Sequence, residues 1–409
     1  MSHKFNSLFD EKIPEVRKMP LVFGGQVRLE DIVGRDKLIE RVIYDLNNTS
    51  IIINEIRRFG KTSFLRLLES KAPDNWICVN TTVQGAFTTA KLIEITLQNI
   101  LNQARAREKI KKTIFAVGHA VKNAKLNLNG FEFALGKEYE ADALSTFRAV
   151  LGSIGKQLIK DKKIMVIIWD EFPDAIQAIL KKEGKDAANE IMKFFRAMRE
   201  NKDSQSIRWV LTGSIGMHHI FREFSGSDTI NDMATVSLDP LESRYIRWMS
   251  VCLLLEINRN TDGSDYLADA SGGIPFVLEM MIKYIRDFDA SVPQSVKDAE
   301  SLLIEAASEI NLGKNWTPLL ERVGSYYGEN AKTAEAVLDI IAMFPVEDRM
   351  IGELLRKRAK KPVNENTLDV ILTLLLNDHY LKYDNASRLY AWKHEPLRII
   401  WKARRRKGL

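Results

Sequence analysis

At 409 residues the chain is too long for one simple core and is expected to form two or three domains. Hydrophobic residues at 45% and charged residues at 28% exclude a largely disordered chain, and a net charge of +6 is a mild excess that nucleic acid binding would tolerate but does not require. No apolar run reaches the roughly 18–20 residues of a membrane helix, and the polar start over residues 1–12, with both charge signs, does not read as a signal peptide, so a cytoplasmic protein is expected.

In chain order, an extended lead-in with Pro14, Pro20 and Gly24-Gly25 precedes a helix over 36–46 and an apolar strand over 50–54. A Gly-containing loop follows, then a helix over 62–70 marked by Phe64, Leu65, Leu67 and Leu68. A strand over 76–79 and a helix over 92–107 continue the alternation. Residues 108–142 interrupt it. There Leu126, Leu128, Phe131, Phe133 and Leu135 alternate around Asn129-Gly130, a hairpin signal because both turn positions tolerate positive φ. The alternation resumes with a helix over 141–159, a strand over 163–169, a helix over 185–200 and a strand over 207–212. Strands alternating with helices imply a mostly parallel sheet covered on both faces. Beyond Pro240 the strands stop, and helices are expected over 241–257, 266–288 and 296–310. From Glu335 onward, three helices and two short strands, 381–384 and 388–392 around Asn385, spell a winged helix. The expected division is an α/β domain over 1–240 with the hairpin inserted at about 108–142, a helical domain over 241–330 and a winged helix over 331–409.

Cys78 and Cys252 lie far apart and read as reduced thiols, and no Cys/His pair has metal-ligand spacing. The basic C-terminal run, Lys402, Arg404, Arg405, Arg406 and Lys407, reads as a solvated tail.

Residues 54–63 read Asn-Glu-Ile-Arg-Arg-Phe-Gly-Lys-Thr-Ser between a strand and a helix. Gly60-Lys61-Thr62 matches the closing half of the phosphate-binding pattern GxxxxGK[ST]. Gly60 lets backbone approach a phosphate, and the N–H groups of the helix start form an anion site. Lys61 would reach the β- and γ-phosphates of ATP, and the Thr62 hydroxyl would take one Mg²⁺ position. Arg58, Phe59, Gly60, Lys61, Thr62 and Ser63 are the expected nucleotide contacts. The pattern's first glycine falls on Glu55, so the opening turn must accept an acidic side chain.

The apolar strand 164–169 ends in Asp170-Glu171. Asp170 would hold Mg²⁺ through water, and Glu171 would orient and polarise the water that attacks the γ-phosphate. A further strand ends in Thr212 and Ser214, whose hydroxyls could bond the γ-phosphate or that water. His218 and His219, adjacent on a helix, point in different directions and read as surface or core residues.

With these residues in hand, the chain resembles archaeal-type and STAND-like P-loop ATPases of the AAA+ group over nearly its full length. The matching segments are Ile32-Val-Gly-Arg-Asp36, Arg57-Arg-Phe-Gly-Lys-Thr-Ser63, Asp170-Glu171, Thr212-Gly-Ser-Ile-Gly216 and Gly272-Gly-Ile-Pro275. The resemblance implies Val33, Gly34 and Arg35 near the adenine, and Gly273 and Pro275 of a helical lid near the nucleotide. It also implies an arginine that completes the site from a neighbouring subunit, for which Arg196, Arg199 and Arg222 are candidates. The layout is one often found in defence or mobile-element systems.

Two functions compete. One is a switch whose nucleotide state controls assembly with a protein partner or with further copies of itself; the other is an ATPase acting on duplex DNA through the winged helix. A winged helix that reads bases needs Arg, Lys, Asn or Gln on its third helix. Here that helix, residues 366–379, carries Asp369 and Asp378 and no Lys or Arg, which disfavours base readout. The preceding Arg356, Lys357, Arg358, Lys360 and Lys361 could touch phosphates without reading sequence.

Overall fold

The computed structural model describes residues 12–103, 125–127, 132–134, 143–213, 217, 219–220, 230–359 and 364–406. The chain forms two compact units. One comprises Leu38–Asn54 with Leu65–Ser237; the other comprises Met1–Lys37, Glu55–Phe64 and Leu238–Leu409.

The first unit is built on five parallel strands: β1 (Ile51–Asn54), β2 (Trp76–Thr82), β5 (Ile164–Asp170), β6 (Ile207–Gly213) and β7 (Ala234–Val236). Their spatial order is β2-β5-β6-β1-β7. The strands are Ile- and Val-rich because both faces are covered, and all four residues of β1 are buried. β3 (Lys125–Asn127) and β4 (Glu132–Ala134) pair antiparallel, as the Asn-Gly signal predicts, although Asn129-Gly130 itself lies outside the described residues.

Helices α1 (Asp36–Asn48), α2 (Lys61–Ser70), α3 (Thr89–Asn102), α4 (Ala143–Asp161), α5 (Phe172–Glu183) and α6 (Lys185–Glu200) alternate with the main strands. α3 starts three residues earlier than its apolar spacing suggests, because the Thr88 side chain accepts the Lys91 N–H and caps the first turn. α5 and β7 are not expected from the sequence pattern. α5 follows the Asp-Glu strand end at once, with Pro173 in its first turn, and β7 is only three residues long. The core gathers around Trp169, whose ring lies 4.8 Å from Trp209 and 5.6 Å from Phe172, and whose indole N–H donates to Thr96 Oγ1 at 3.0 Å.

In the second unit come α7 (Ser243–Glu256), α8 (Ser264–Ala270), α9 (Pro275–Asp287), α10 (Val296–Ser308) and α11 (Thr317–Tyr327), the last not expected from apolar spacing. The single helix expected over 266–288 is in fact two. Gly272 and Gly273 stand at φ +58° and +75°, conformations that end α8, and Pro275 opens α9. The Gly273 carbonyl accepts the Leu241 N–H at 2.8 Å, so the break is held in place.

The expected three helices and wing are present: α12 (Ala331–Met343), α13 (Asp348–Ala359) and α14 (Glu365–Asn377), with β8 (Val346–Glu347), β9 (Leu381–Asp384) and β10 (Leu389–Trp392) in the order β8-β10-β9. The structure corrects two expectations. The basic run near the end is no solvated tail: α15 (Glu395–Arg406) buries Arg404, which donates to Thr317 Oγ1 at 3.1 Å, and pairs Arg405 with Asp339 at 2.8 Å and Glu335 at 3.2 Å. Lys407 lies outside the described residues. Asp378 does not face a partner. It is fully buried and accepts the Tyr327 hydroxyl at 2.9 Å.

A Cβ on residue 273 would meet the Leu241 carbonyl oxygen at 2.5 Å, on top of the positive φ. Gly273→Ala is therefore expected to destabilise the protein by about 1–3 kcal/mol. Gly152→Ala, in α4 with nothing within 4 Å of the added carbon, should be neutral or stabilising by up to about 1 kcal/mol. Thermal unfolding of the two variants checks this; equal shifts would remove the special role of the break.

Candidate functional site

The loop that follows β1 places Gly60 at φ +88° with open space where a Cβ would stand. α2 begins directly after it, and its first helical hydrogen bond runs from Phe64 N–H to the Gly60 carbonyl at 2.8 Å. The start of a helix leaves its first N–H groups unused by the helix, which with the macrodipole makes an anion site. Thr62 is exposed, Ser63 half-buried and Phe59 buried. Lys61 is buried, and its ammonium donates to the carbonyls of Glu55 at 2.6 Å and Ile56 at 3.2 Å. These residues fit a phosphate group: an open glycine, a helix start, one ammonium and one exposed hydroxyl.

Arg58 sits at φ +78°, a conformation its side chain disfavours. It is held there by a stack over the Phe276 ring at 4.7 Å and a hydrogen bond to Asn315 Oδ1 at 3.2 Å. Phe23, beside Gly24-Gly25, stacks on the same Phe276 at 4.6 Å. Glu279, one turn along α9, is buried; desolvation raises its carboxyl from the ordinary 4.5 to about 8, with Arg58 pulling the other way. Sequence pattern does not single out Phe276, Asn315 or Glu279, because their spacing in α9 and beyond is that of ordinary core positions.

Val33, Gly34 and Arg35 are half-buried. Gly34 adopts φ +68° against the Tyr245 ring, and Arg35 donates to the Asp239 carbonyl at 2.7 Å. Pro275 stands in the first turn of α9 just after the Gly272-Gly273 break.

In the sheet unit, β6 lies between β1 and β5, so the carboxyl ends of the three strands are neighbours, with Asn54 opposite Gly213. Asp170 is buried at the end of β5, and the Thr212 hydroxyl donates to its Oδ1. The Glu171 N–H donates to Thr212 Oγ1 at 3.4 Å. Glu171 itself has φ +59°, left-handed backbone that turns the chain sharply from strand to helix. Asp170, Glu171 and Thr212 thus form one connected cluster. Ser214, His218, Arg222 and Gly216 lie outside the described residues; His219 is half-buried. Of the described arginine candidates, Arg199 pairs with Asp232 at 2.7 Å and stacks on Phe195 at 4.3 Å, and Arg196 pairs with Glu200 at 2.8 Å. Both are engaged within the chain.

No family model and no curated protein matches the sequence. Among solved structures the chain is similar to the Walker-type ATPase of Pyrococcus abyssi, at 17% identity and a TM-score of 0.62 over 95% of this chain and 99% of that one. The fold is that of a P-loop ATPase. Looser likenesses are to the ORC2 protein of Aeropyrum pernix, at 12% identity and a TM-score of 0.48 over 91% of this chain and 94% of that one, and to the RuvB Holliday junction branch migration motor of Thermotoga maritima, at 11% identity and a TM-score of 0.34 over the same shares.

A carboxyl whose folded pKa is raised binds its proton more tightly folded than unfolded, so it adds stability at low pH and loses it as pH climbs. For Glu279 the loss should run between its ordinary 4.5 and about 8. Glu279→Gln should flatten that decline, so that wild type and variant diverge in melting temperature on the alkaline side; parallel pH profiles would place the decline elsewhere.

Proposed function

We propose that this chain binds ATP with Mg²⁺ at the phosphate loop, hydrolyses it, and uses the nucleotide state to control assembly with a protein partner or with further copies of itself. The observation that carries the reading is the strand order β2-β5-β6-β1-β7, which sets the strand before the loop two places from the strand ending in Asp170-Glu171. In this reading Gly60 and the α2 N–H groups receive the phosphates, Lys61 moves from its carbonyl partners onto them, and Arg58, Phe59 and Ser63 shape the loop. Thr62 and Asp170 hold the metal, which supplies charge neutralisation on the phosphate oxygens. Glu171 orients the attacking water, with Thr212 fixing the Asp170 carboxylate and Ser214, two positions on in sequence, offering a further hydroxyl. Val33, Gly34 and Arg35 lie at the base, and Pro275 fixes the start of α9.

A protein partner is supported by the exposed side of α14, which presents Glu365, Asn366, Asp369 and Thr373 and no cation. With Asp378 buried, Glu365 and Asp369 carry that argument. Acidic side chains at this surface oppose a phosphate backbone. The second reading, an ATPase on duplex DNA, is supported by Arg356 and Lys357, both exposed on α13. Phosphate-driven binding must weaken steeply with salt. Duplex titrations at rising ionic strength should show weak or flat binding; a steep decline would favour the DNA reading.

For the chemistry, wild type should turn over ATP with Mg²⁺, Lys61→Ala should lose nucleotide binding, and Glu171→Gln should bind without turnover. Loss of turnover by two to four orders of magnitude is the scale expected for a general base or water-orienting group. A Glu171→Gln variant that hydrolyses at the wild-type rate would remove Glu171 from this role.

A further inference from the structure

The phosphate loop contains a charge that phosphate binding does not call for. Glu55 occupies the position where the loop pattern asks for glycine, and its side chain is 0% exposed. Oε1 accepts the Ile56 N–H at 3.0 Å, and Oε2 makes no hydrogen bond among the described residues. The backbone carbonyl of the same residue holds the Lys61 ammonium at 2.6 Å. A carboxylate enclosed this close to the phosphate-binding lysine would repel an incoming triphosphate and compete for its cation, unless another positive charge offsets it.

That charge comes from the winged helix. Lys393, the residue after β10, brings Nζ to 3.8 Å from Glu55 Oε2. It is not there by the freedom of a surface side chain. Its backbone N–H donates to the Tyr380 carbonyl at 2.9 Å, its ammonium contacts His379 Nδ1, and its side chain is 23% exposed. The next residue, His394, is buried with its ring 4.8 Å from that of Phe59 in the same loop. Burial pushes the Glu55 carboxyl up, while Lys393, the Ile56 N–H and Lys61 hold it down and Asp239 adds to the rise. Of the two cations, Lys393 is the one that ATP phosphates do not claim in the reading above.

We propose that Lys393 is a positioning residue of the nucleotide site, neutralising Glu55 from the winged helix so that the phosphate loop can accept a triphosphate. The inference rests on the reading of the loop as an ATP site. It makes the winged helix part of the apparatus that binds nucleotide, and it explains how the loop tolerates an acid at the position of its first glycine.

The test is a double-mutant cycle on the full chain, read as affinity for a fluorescent ATP analogue with Mg²⁺, with Lys61→Ala as the reference for a lost site. Lys393→Met should weaken binding by about tenfold or more, since removing one partner leaves an uncompensated buried charge. Lys393→Arg should keep most of it. Glu55→Gln should bind at least as tightly as wild type, and Lys393→Met should cost little in the Glu55→Gln background. A merely structural role for Lys393 would make the loss equal in both backgrounds, and that result, or wild-type affinity in Lys393→Met, overturns the inference while leaving the ATP reading intact. Binding by Glu55→Gln but not by wild type also overturns it, because Lys393 would then fail to neutralise the acid. Absence of binding in all of these proteins overturns the ATP reading together with the inference.

Discussion

Placing β6 between β1 and β5 constrains which side chains can meet at the carboxyl edge of the sheet. Parallel strands need long crossovers, and here β1, first in sequence, lies between β6 and β7, so residues from separate parts of the chain converge at strand ends. Inside the sheet the faces are apolar, and several buried polar groups at the strands bond one another. The Thr212 hydroxyl donates to Asp170 and receives the Glu171 N–H, and the Ser50 hydroxyl receives the Trp209 N–H at 3.0 Å. Each such group left alone would cost about 1–3 kcal/mol. The bonds that keep the sheet edge intact are therefore also the bonds that orient the Asp170 carboxylate.

The conformational strain is distributed in the same way. Asn258 and Asp289 are residue types that take left-handed backbone with little penalty, but Arg58 and Glu171 are not. Such positions cost on the order of 1–3 kcal/mol and persist only when their surroundings over-determine them. Arg58 is fixed by Phe276 and Asn315, and Glu171 by the Thr212 hydroxyl on one side and the start of α5 on the other. One flanks the phosphate loop's glycine and the other ends the acidic strand.

Local pattern makes most of this fold legible. The buried strands announce themselves as runs such as Ile164–Asp170, the helices by apolar spacing, and the loop by Gly60-Lys61-Thr62 in a strand–helix setting. What local pattern hides is the partner of a side chain. Asp378 reads as an acidic face until Tyr327, fifty-one positions earlier, is seen to donate to it. Arg405 reads as tail until Asp339 and Glu335 of α12 are found beneath it. α5 and α11 escape sequence reading for a related reason: their apolar stripes are short and start at Pro-containing turns, which read as loop. Gly272-Gly273 is legible as a motif, but its consequence, two helices instead of one, depends on the Leu241 N–H that locks the break.

Glu55 is the sharpest case, because it looks like a defect in the motif and only tertiary structure supplies its counterpart. The side chains that reach it run back through the winged helix. Tyr327 fixes Asp378 at the end of α14, His379 turns the chain at φ +62° and presents Nδ1 to Lys393, and Lys393 faces Glu55. At 3.8 Å and an effective dielectric of about 20, the gross attraction is roughly 4 kcal/mol, opposed by the desolvation of an acid enclosed in the loop. A balance of two large terms is sensitive to any third charge placed nearby. In the proposed ATP reading, phosphates brought to Lys61 would alter the field at Glu55, and with it the attraction that Lys393 feels beside the turn that ends α14. Linkage would make such a coupling reciprocal: a contact that displaced Lys393 would change phosphate affinity at the loop by the same factor. The acid in the glycine position thus gives the loop a physical connection to the winged helix that a plain glycine would lack.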